Sequence, residues 1–125
     1  MNKEQYVKFN TAKLLKKKGF DWPCIFYYDD NGIIHRALDY VRQNDGDDDD
    51  NDECLCPTQQ MACRWLVKNH NIHIEPHFLR ESGDYVYDII HSPLALDDIH
   101  SFPVVFNTIE DAIEAALKYA LRNLI

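Results

Sequence analysis

Apolar residues recur every three or four positions in three segments of the chain, and this period predicts helices over 11–18, 58–69 and 108–124. Thr58 and Thr108 stand where the second and third helices begin. A threonine hydroxyl at such a position accepts a hydrogen bond from a backbone N–H that the first turn leaves unpaired. The sequence therefore predicts three helices, two of them with a defined start.

Runs rich in β-branched and aromatic residues predict two hairpins, one joining 24–28 to 33–41 and the other joining 72–79 to 85–91. In the first hairpin, the Asn31-Gly32 pair predicts a type I′ turn, because both residue types tolerate positive φ angles.

The second hairpin has a definite predicted register. If Leu79 lies opposite Asp84, the two faces of the hairpin differ in polarity. One face then carries the apolar residues Ile72, Ile74, Tyr87 and Ile89, among others. The opposite face carries His73, Glu75, His77, Val86, Asp88 and Ile90. Pro76 has no N–H to donate, which predicts that its strand lies at a sheet edge or contains a bulge.

Together these elements predict an α+β fold of a single domain, residues 1–125, in the order α-ββ-α-ββ(β)-α. We expect a four- or five-stranded, mostly antiparallel sheet with three helices on one face. The optional fifth strand is the apolar run at 103–106, and residues 92–101 are predicted to form a loop. A chain of 125 residues is long enough to bury one core of this size.

Charge is distributed unevenly over the chain, whose formal net charge is −8. Seven acids lie between Asp45 and Glu53, so residues 43–53 are predicted to be a mobile acidic loop, since mutual repulsion and the lack of apolar residues oppose packing. These acids do not have the spacing of a calcium-binding EF-hand loop. The first twenty residues carry six lysines and one glutamate instead.

The sequence contains no signal for export or for membrane insertion. The amino-terminal residues are polar, and no apolar run reaches the length of a membrane-spanning helix. We therefore expect a cytoplasmic protein with no membrane partner, in which the four cysteines stay reduced. These cysteines are Cys24, Cys54, Cys56 and Cys63.

A metal site is the sharpest chemical hypothesis, because three cysteines and three histidines lie between residues 54 and 77. Their spacing opposes most combinations. Cys63 and His70 would stand about 10 Å apart along a helix, and His73 and His77 about 13 Å apart along a strand, whereas ligands reach a zinc ion at about 2 Å. No metal site is therefore expected. The weak candidates that remain are His73, Glu75, His77 and Asp88.

Neither a catalytic residue nor a cofactor is expected. The predicted register places Glu75 directly opposite Asp88, and paired carboxylates can share a proton in acid–base catalysis. On an open sheet face, however, water screens the two charges. The four glycines all lie in predicted turns, caps or loops and form no phosphate-binding glycine-rich motif.

Two hypotheses related to nucleic acid stay open. The lysines of the predicted helix at 11–18 form a basic patch that can contact phosphate, and the acidic loop at 43–53 can imitate a DNA backbone. The net charge of −8 opposes phosphate binding, so nucleic acid is not the expected partner.

Residues 11–21, 56–75 and 104–125 carry a resemblance to a known group of proteins. The best-matching pieces are Pro57-Thr58-Gln59, Trp65-Leu66, the run from His70 to Ile74, and the aromatic-then-acidic start of the last helix. They resemble a family of small uncharacterised proteins found on prophages and mobile elements of gut bacteria. That family carries no established activity, so the resemblance implies a shared fold and a phage-associated setting.

The sequence as a whole favours a small non-enzymatic accessory protein of phage or mobile-element origin that acts by binding protein. The predicted partner surface, called the outer hairpin face below, consists of His73, Glu75, His77, Val86, Asp88 and Ile90. It suits another protein or a second copy of the chain. The alternatives are a nucleic-acid-related regulator and, after it, a weak metal-binding protein that uses the outer face of the hairpin at 72–91.

Overall fold

The computed structural model describes residues 5–41, 53–91, 99–101 and 104–125. It confirms an α+β fold with three helices and antiparallel sheets. The chain divides into two compact units, residues 1–62 and 63–125. No helix within the described ranges is both long and apolar enough to cross a membrane.

The predicted helices and hairpins are present, with bounds close to those expected. In chain order the elements are α1 (Phe9–Lys17), β1 (Cys24–Tyr28), β2 (Ile34–Val41), β3 (Cys54–Leu55), α2 (Gln59–His70), β4 (Ile72–Leu79), β5 (Asp84–His91), β6 (Ile99–Ser101) and α3 (Ile109–Asn123). Strand β3 was not predicted, because two residues are too short to show a period. Strand β6 lies in the segment at 92–101 that was predicted to be a loop.

The prediction of a single four- or five-stranded sheet is not confirmed. The described strands form two three-stranded sheets, in the orders β2-β1-β3 and β4-β5-β6. Each hairpin gains a third strand from a short segment of backbone, which pairs through its N–H and C=O groups whatever its side-chain pattern. Among the described residues of the predicted last strand at 103–106, Phe106 forms an isolated bridge with Tyr85.

In the first unit, the segment before α1 is fixed by pairing with the residues that follow β3. The Val7 N–H donates to the carbonyl of Pro57, and the Gln59 N–H donates to the carbonyl of Gln5. The Tyr28 hydroxyl donates to the Val7 carbonyl at 2.6 Å. Helix α1 packs against β3. These contacts join the segment before α1 to β1 and to the residues between β3 and α2, and the Val7 side chain is fully buried.

The turn between β1 and β2 has a different form from the one predicted. The Gly32 N–H donates to the Asp29 carbonyl, and the Asp29 N–H donates to the Ile33 carbonyl. Gly32 has a φ angle of 78°, but Asn31 is not among the residues with positive φ, so the type I′ prediction is wrong. The turn is the three-residue loop that ends in a left-handed glycine. The Asp29 carboxylate closes it by accepting from the N–H groups of Asn31 and Ile33.

Helix α2 leads into β4 through the single residue Asn71. At its start, the Thr58 hydroxyl accepts a hydrogen bond from the Met61 N–H at 3.1 Å, which confirms the predicted cap. At its end, Asn71 has a φ angle of 57°, a left-handed conformation that asparagine tolerates better than most residues. Trp65 and Leu66 lie on the buried side of the helix.

In the second unit, α3 packs against β4 and β5. The Thr108 hydroxyl accepts from the Asp111 N–H at 3.1 Å, which confirms the predicted start of the helix. Its buried apolar residues are Ala112, Ala116, Leu117, Ala120 and Leu121. Their recurrence at intervals of three and four residues produces the stripe that covers one face of the second sheet.

Replacement of two turn glycines separates a backbone effect from a packing effect. Gly32 and Gly83 both have positive φ, at 78° and 76°, so alanine is disfavoured at each. A Cβ on Gly32 would lie 2.7 Å from Cδ2 of Phe9, whereas no atom lies within 4 Å of a Cβ on Gly83. We expect Gly32→Ala to lower the free energy of unfolding by about 3 kcal/mol and Gly83→Ala by about 1 kcal/mol. Urea denaturation measures both, and equal losses would contradict the packing of Phe9 on the turn.

Candidate functional site

The predicted register of the second hairpin is confirmed at every pair, from Ile72 opposite His91 to Leu79 opposite Asp84. The pairing contains no bulge, and β4 is an edge strand of the described sheet. An edge is one of the two places predicted for Pro76. A proline is tolerated there because its missing N–H can face away from the neighbouring strand.

The inner face of this hairpin is part of the core of the second unit. Ile72 and Ile89 are fully buried and Tyr87 is nearly so. Helix α3 packs on the same two strands. Successive side chains of a strand point to opposite sides of the sheet. The residues that alternate with those of the inner face therefore lie on the other side of the sheet.

Those intervening residues form the outer hairpin face, and the structure brings all six predicted members together. On β4, His73, Glu75 and His77 are exposed. On β5, Val86, Asp88 and Ile90 are half-buried. Each residue of β4 in this set lies directly opposite one of β5. The face is therefore a compact block of three cross-strand pairs.

The polar centre of this block consists of one histidine and two carboxylates. His77 Nε2 lies within hydrogen-bond distance of Asp88 Oδ2, at 2.9 Å, while Glu75 is the cross-strand partner of Asp88. The side chains of His77 and Asp88 are 48% and 28% exposed, so water screens their interaction. Such an exposed pair contributes about 1 kcal/mol at most. The arrangement orients hydrogen-bonding groups toward solvent.

Strand order determines how this sheet can meet a partner. Strand β6 pairs with β5 on the side opposite β4, and its backbone register sets Ser101 opposite Asp88. Asp88 therefore lies on the central strand of the described sheet. The free edge of β4 contains Pro76, which removes a backbone donor and disfavours addition of another strand. Among the described residues, the outer hairpin face is therefore exposed, and the edge at β4 is poorly suited to strand pairing.

The cysteines and histidines considered as metal ligands are dispersed. Within the described part of the chain, no group of three or more Cys, His, Asp or Glu side chains is placed to hold a metal ion. Cys54 and Cys56 are buried, in and just after β3, and Cys63 lies on α2. The His70 ring packs edge-on against Trp65, with ring centroids 4.9 Å apart.

Burial makes two of the thiols weak acids. It raises the pKa of Cys24 to about 12, with a smaller contribution from Cys56. Burial also raises the pKa of Cys63 to about 12, with a smaller contribution from the charge of Glu114. A thiolate is the reactive and metal-binding form of cysteine, so both side chains are poor nucleophiles and poor ligands at neutral pH.

Glu114 is a buried residue that sequence reasoning missed. Only 4% of it is exposed, although it belongs to the acidic first half of α3. It lies three residues before Leu117 and seven before Leu121, which places it on the apolar stripe of the helix. This spacing is visible in the sequence and could have predicted the burial of Glu114. The charge of the Glu114 carboxylate contributes to the raised pKa of Cys63, so Glu114 exerts its effect within the core.

The predicted basic helix makes contacts within its own unit. Lys13 Nζ lies 4.6 Å from the centroid of the Phe9 ring. Lys16 Nζ donates to the carbonyl of Glu53 at 2.8 Å. These two lysines of the predicted patch therefore already have partners. The predicted acidic loop at 43–53 lies outside the described residues except for Glu53.

Comparison with protein-family models, with curated proteins and with solved structures finds no match for this chain. The resemblance to prophage and mobile-element proteins therefore stays a prediction.

The raised thiol pKa values predict a loss of stability in alkali. With an unfolded pKa of 9.0 and a folded pKa of about 12, each thiol binds more protons in the folded state between these limits, so stability falls as pH rises through this window. By pH 10.5 or so, each thiol should account for a loss of at most about 2 kcal/mol, and for less where solvent screens the charge of the thiolate. Cys24→Ala should remove this part of the pH dependence, although it also lowers stability at neutral pH by leaving a cavity.

Urea midpoints of the wild type and of Cys24→Ala, compared at neutral and alkaline pH, measure that difference in slope. A parallel pH dependence for the two proteins would show that the Cys24 thiol does not retain its proton in the folded state.

Proposed function

We propose that this chain is a small non-enzymatic protein of phage or mobile-element origin that acts in the cytoplasm by binding a protein partner through the outer hairpin face. The observation that carries the proposal is the confirmed register, which collects six predicted residues on one side of the hairpin while α3 packs on its strands. A partner that docks on this face meets a prearranged surface and does not have to order it.

The chemistry of the face suits a protein surface better than a phosphate backbone. Val86 and Ile90 offer half-buried apolar area, and the imidazole and carboxylate groups around them offer hydrogen bonds. Protein interfaces combine apolar area with hydrogen-bonding groups in this way. The six residues include two acids and neither lysine nor arginine, so phosphate would be repelled.

The two alternative functions have less support from the described residues. For nucleic-acid binding, Lys13 and Lys16 of the basic helix are engaged with Phe9 and with the Glu53 carbonyl. For metal binding, the outer hairpin face brings His77 and Asp88 into contact but supplies no third ligand at the same point. A protein partner is therefore the function that we propose.

Site-specific photo-crosslinking in the native host tests this proposal. A benzophenone amino acid placed at His73 or at Val86 should yield a discrete adduct with another protein. The same probe at Arg122, which is exposed on α3, is the matched control and should yield none. Adding Ile90→Lys to the Val86 probe should abolish the adduct, because a lysine there places an unpaired charge in the contact.

Adducts that form equally from Arg122, or that persist unchanged with Ile90→Lys, would overturn the proposed face. An adduct whose mass is twice that of the chain would identify a second copy as the partner.

A further inference from the structure

A second surface, distinct from the outer hairpin face, lies on β2. This strand is at the edge of the first sheet, and seven of its eight residues are exposed while the eighth is half-buried. Five of the exposed side chains on and beside it are large and apolar: Ile33, Ile34, Leu38, Tyr40 and Val41. Between Ile34 and Val41 the strand contains neither proline nor glycine. Unlike the edge of β4, it has no residue that prevents strand pairing.

Leu38 and Tyr40 are this exposed because β2 is longer than the stretch of β1 that it follows. Phe26 of β1 pairs with Arg36, and Cys24, two residues earlier on β1, pairs with Val41, which is five residues later on β2. The extra residues have no regular partner on β1. Leu38 is consequently as exposed as in an isolated peptide, at 107%, and Tyr40 is 66% exposed.

The order of residues on β2 is self-complementary when the strand is reversed. Its apolar residues lie at both ends, its basic residues His35 and Arg36 lie before the centre, and Asp39 lies after it. A two-fold axis through Ala37 would set His35, whose Nε2 lies 2.8 Å from Asp29 Oδ2 of its own chain, opposite Asp39 of a second copy, and would set Arg36 opposite Leu38. The same operation would set Ile34 beside Tyr40 of the second copy. An aromatic residue opposite a β-branched one, as Tyr40 opposite Ile34, is a favourable cross-strand pair.

The acidic residues that follow β2 favour the same antiparallel order. A run of seven acids begins four residues after Val41. In an antiparallel pair, the two ends from which these runs depart are separated by the length of the strand, about 25 Å. That distance exceeds the screening length of about 8 Å in physiological salt, whereas a parallel pair would bring the two runs together.

We propose that β2 joins two copies of this chain in an antiparallel, two-fold symmetric dimer. Five exposed apolar side chains amount to a patch on the order of a few hundred Å², the size at which exposed patches mark interfaces. It is smaller than the roughly 800 Å² per partner of a standard stable interface, so the dimer is weak, with a Kd of about 100 µM.

Sedimentation equilibrium of the full chain, from about 10 µM to about 1 mM, tests this dimer. Leu38→Ser should raise its Kd at least tenfold. Val104→Ser, which removes an apolar side chain that is 57% exposed outside β2, is the matched control and should leave the Kd within about twofold. Both positions face solvent, so neither change should unfold the chain.

An introduced charge pair gives a second, independent readout. Ile34→Glu alone and Tyr40→Lys alone should each raise the Kd about tenfold, since each sets a charge opposite an apolar side chain twice in the dimer. The double variant I34E/Y40K sets opposite charges across the same pair and should return the Kd to within about threefold of the wild type.

A wild type that stays monomeric over the whole range would overturn the proposal. The proposal would also be overturned if Leu38→Ser and Val104→Ser changed the Kd equally, or if the double charge variant had a higher Kd than both single variants. Because Ile90→Lys lies on the outer hairpin face, it should leave the Kd unchanged, which keeps this result separate from the protein partner proposed above.

Discussion

Side chains alternate between the two faces of a strand, so the pairing of Ile74 with Ile89 determines which way every other side chain of the second hairpin points. In this register the branched residues face α3 and the histidines and carboxylates face solvent. A slip by one residue would bury Glu75 and expose its apolar neighbours. The inner core of the second unit and the outer hairpin face therefore depend on the same constraint.

Several local features hold that register in place. Gly83 takes the positive φ angle that the turn after β4 needs, and its N–H donates to the Leu79 carbonyl. On the far side of β5, β6 fixes a second set of backbone pairs. Helix α3, which begins at the Thr108 cap, covers the apolar side. Each of these contacts favours the observed faces, which is the consistency expected of a well-specified fold.

The two hairpins present different edges to solvent. The free edge of β4 contains Pro76, so this sheet is suited to contact through its face. The free edge of β2 has no such residue and exposes Leu38 and Tyr40 beyond the regular pairing with β1. Histidines and carboxylates are thus exposed on the outer hairpin face, whereas the exposed side chains along β2 are largely apolar.

The features that were predicted correctly from the sequence are those that short-range patterns determine. The register of β4 and β5 follows from a period-two pattern and a short turn, and the caps at Thr58 and Thr108 follow from local hydrogen-bonding chemistry. Strand β3 could not be predicted from the sequence, because two residues show no periodic pattern and pair through the backbone alone. The turn type failed because Asn31 was expected to share a left-handed conformation that Gly32 adopts by itself.

Other features depend on packing between distant segments. Glu114 has the spacing of a core residue but the chemistry of a surface residue, and its burial became visible only with α3 in place. The exposure of β2 depends on a register irregularity against β1, which no pattern within β2 encodes.

The most direct test of this account is the set of nuclear Overhauser contacts across β4 and β5. The account predicts contacts between the His73 ring and Ile90, and between the Ile74 methyl groups and Ile89. Contacts of His73 with Ile89 instead would show a hairpin slipped by one residue, with its faces exchanged, and would contradict both the core and the outer hairpin face described above.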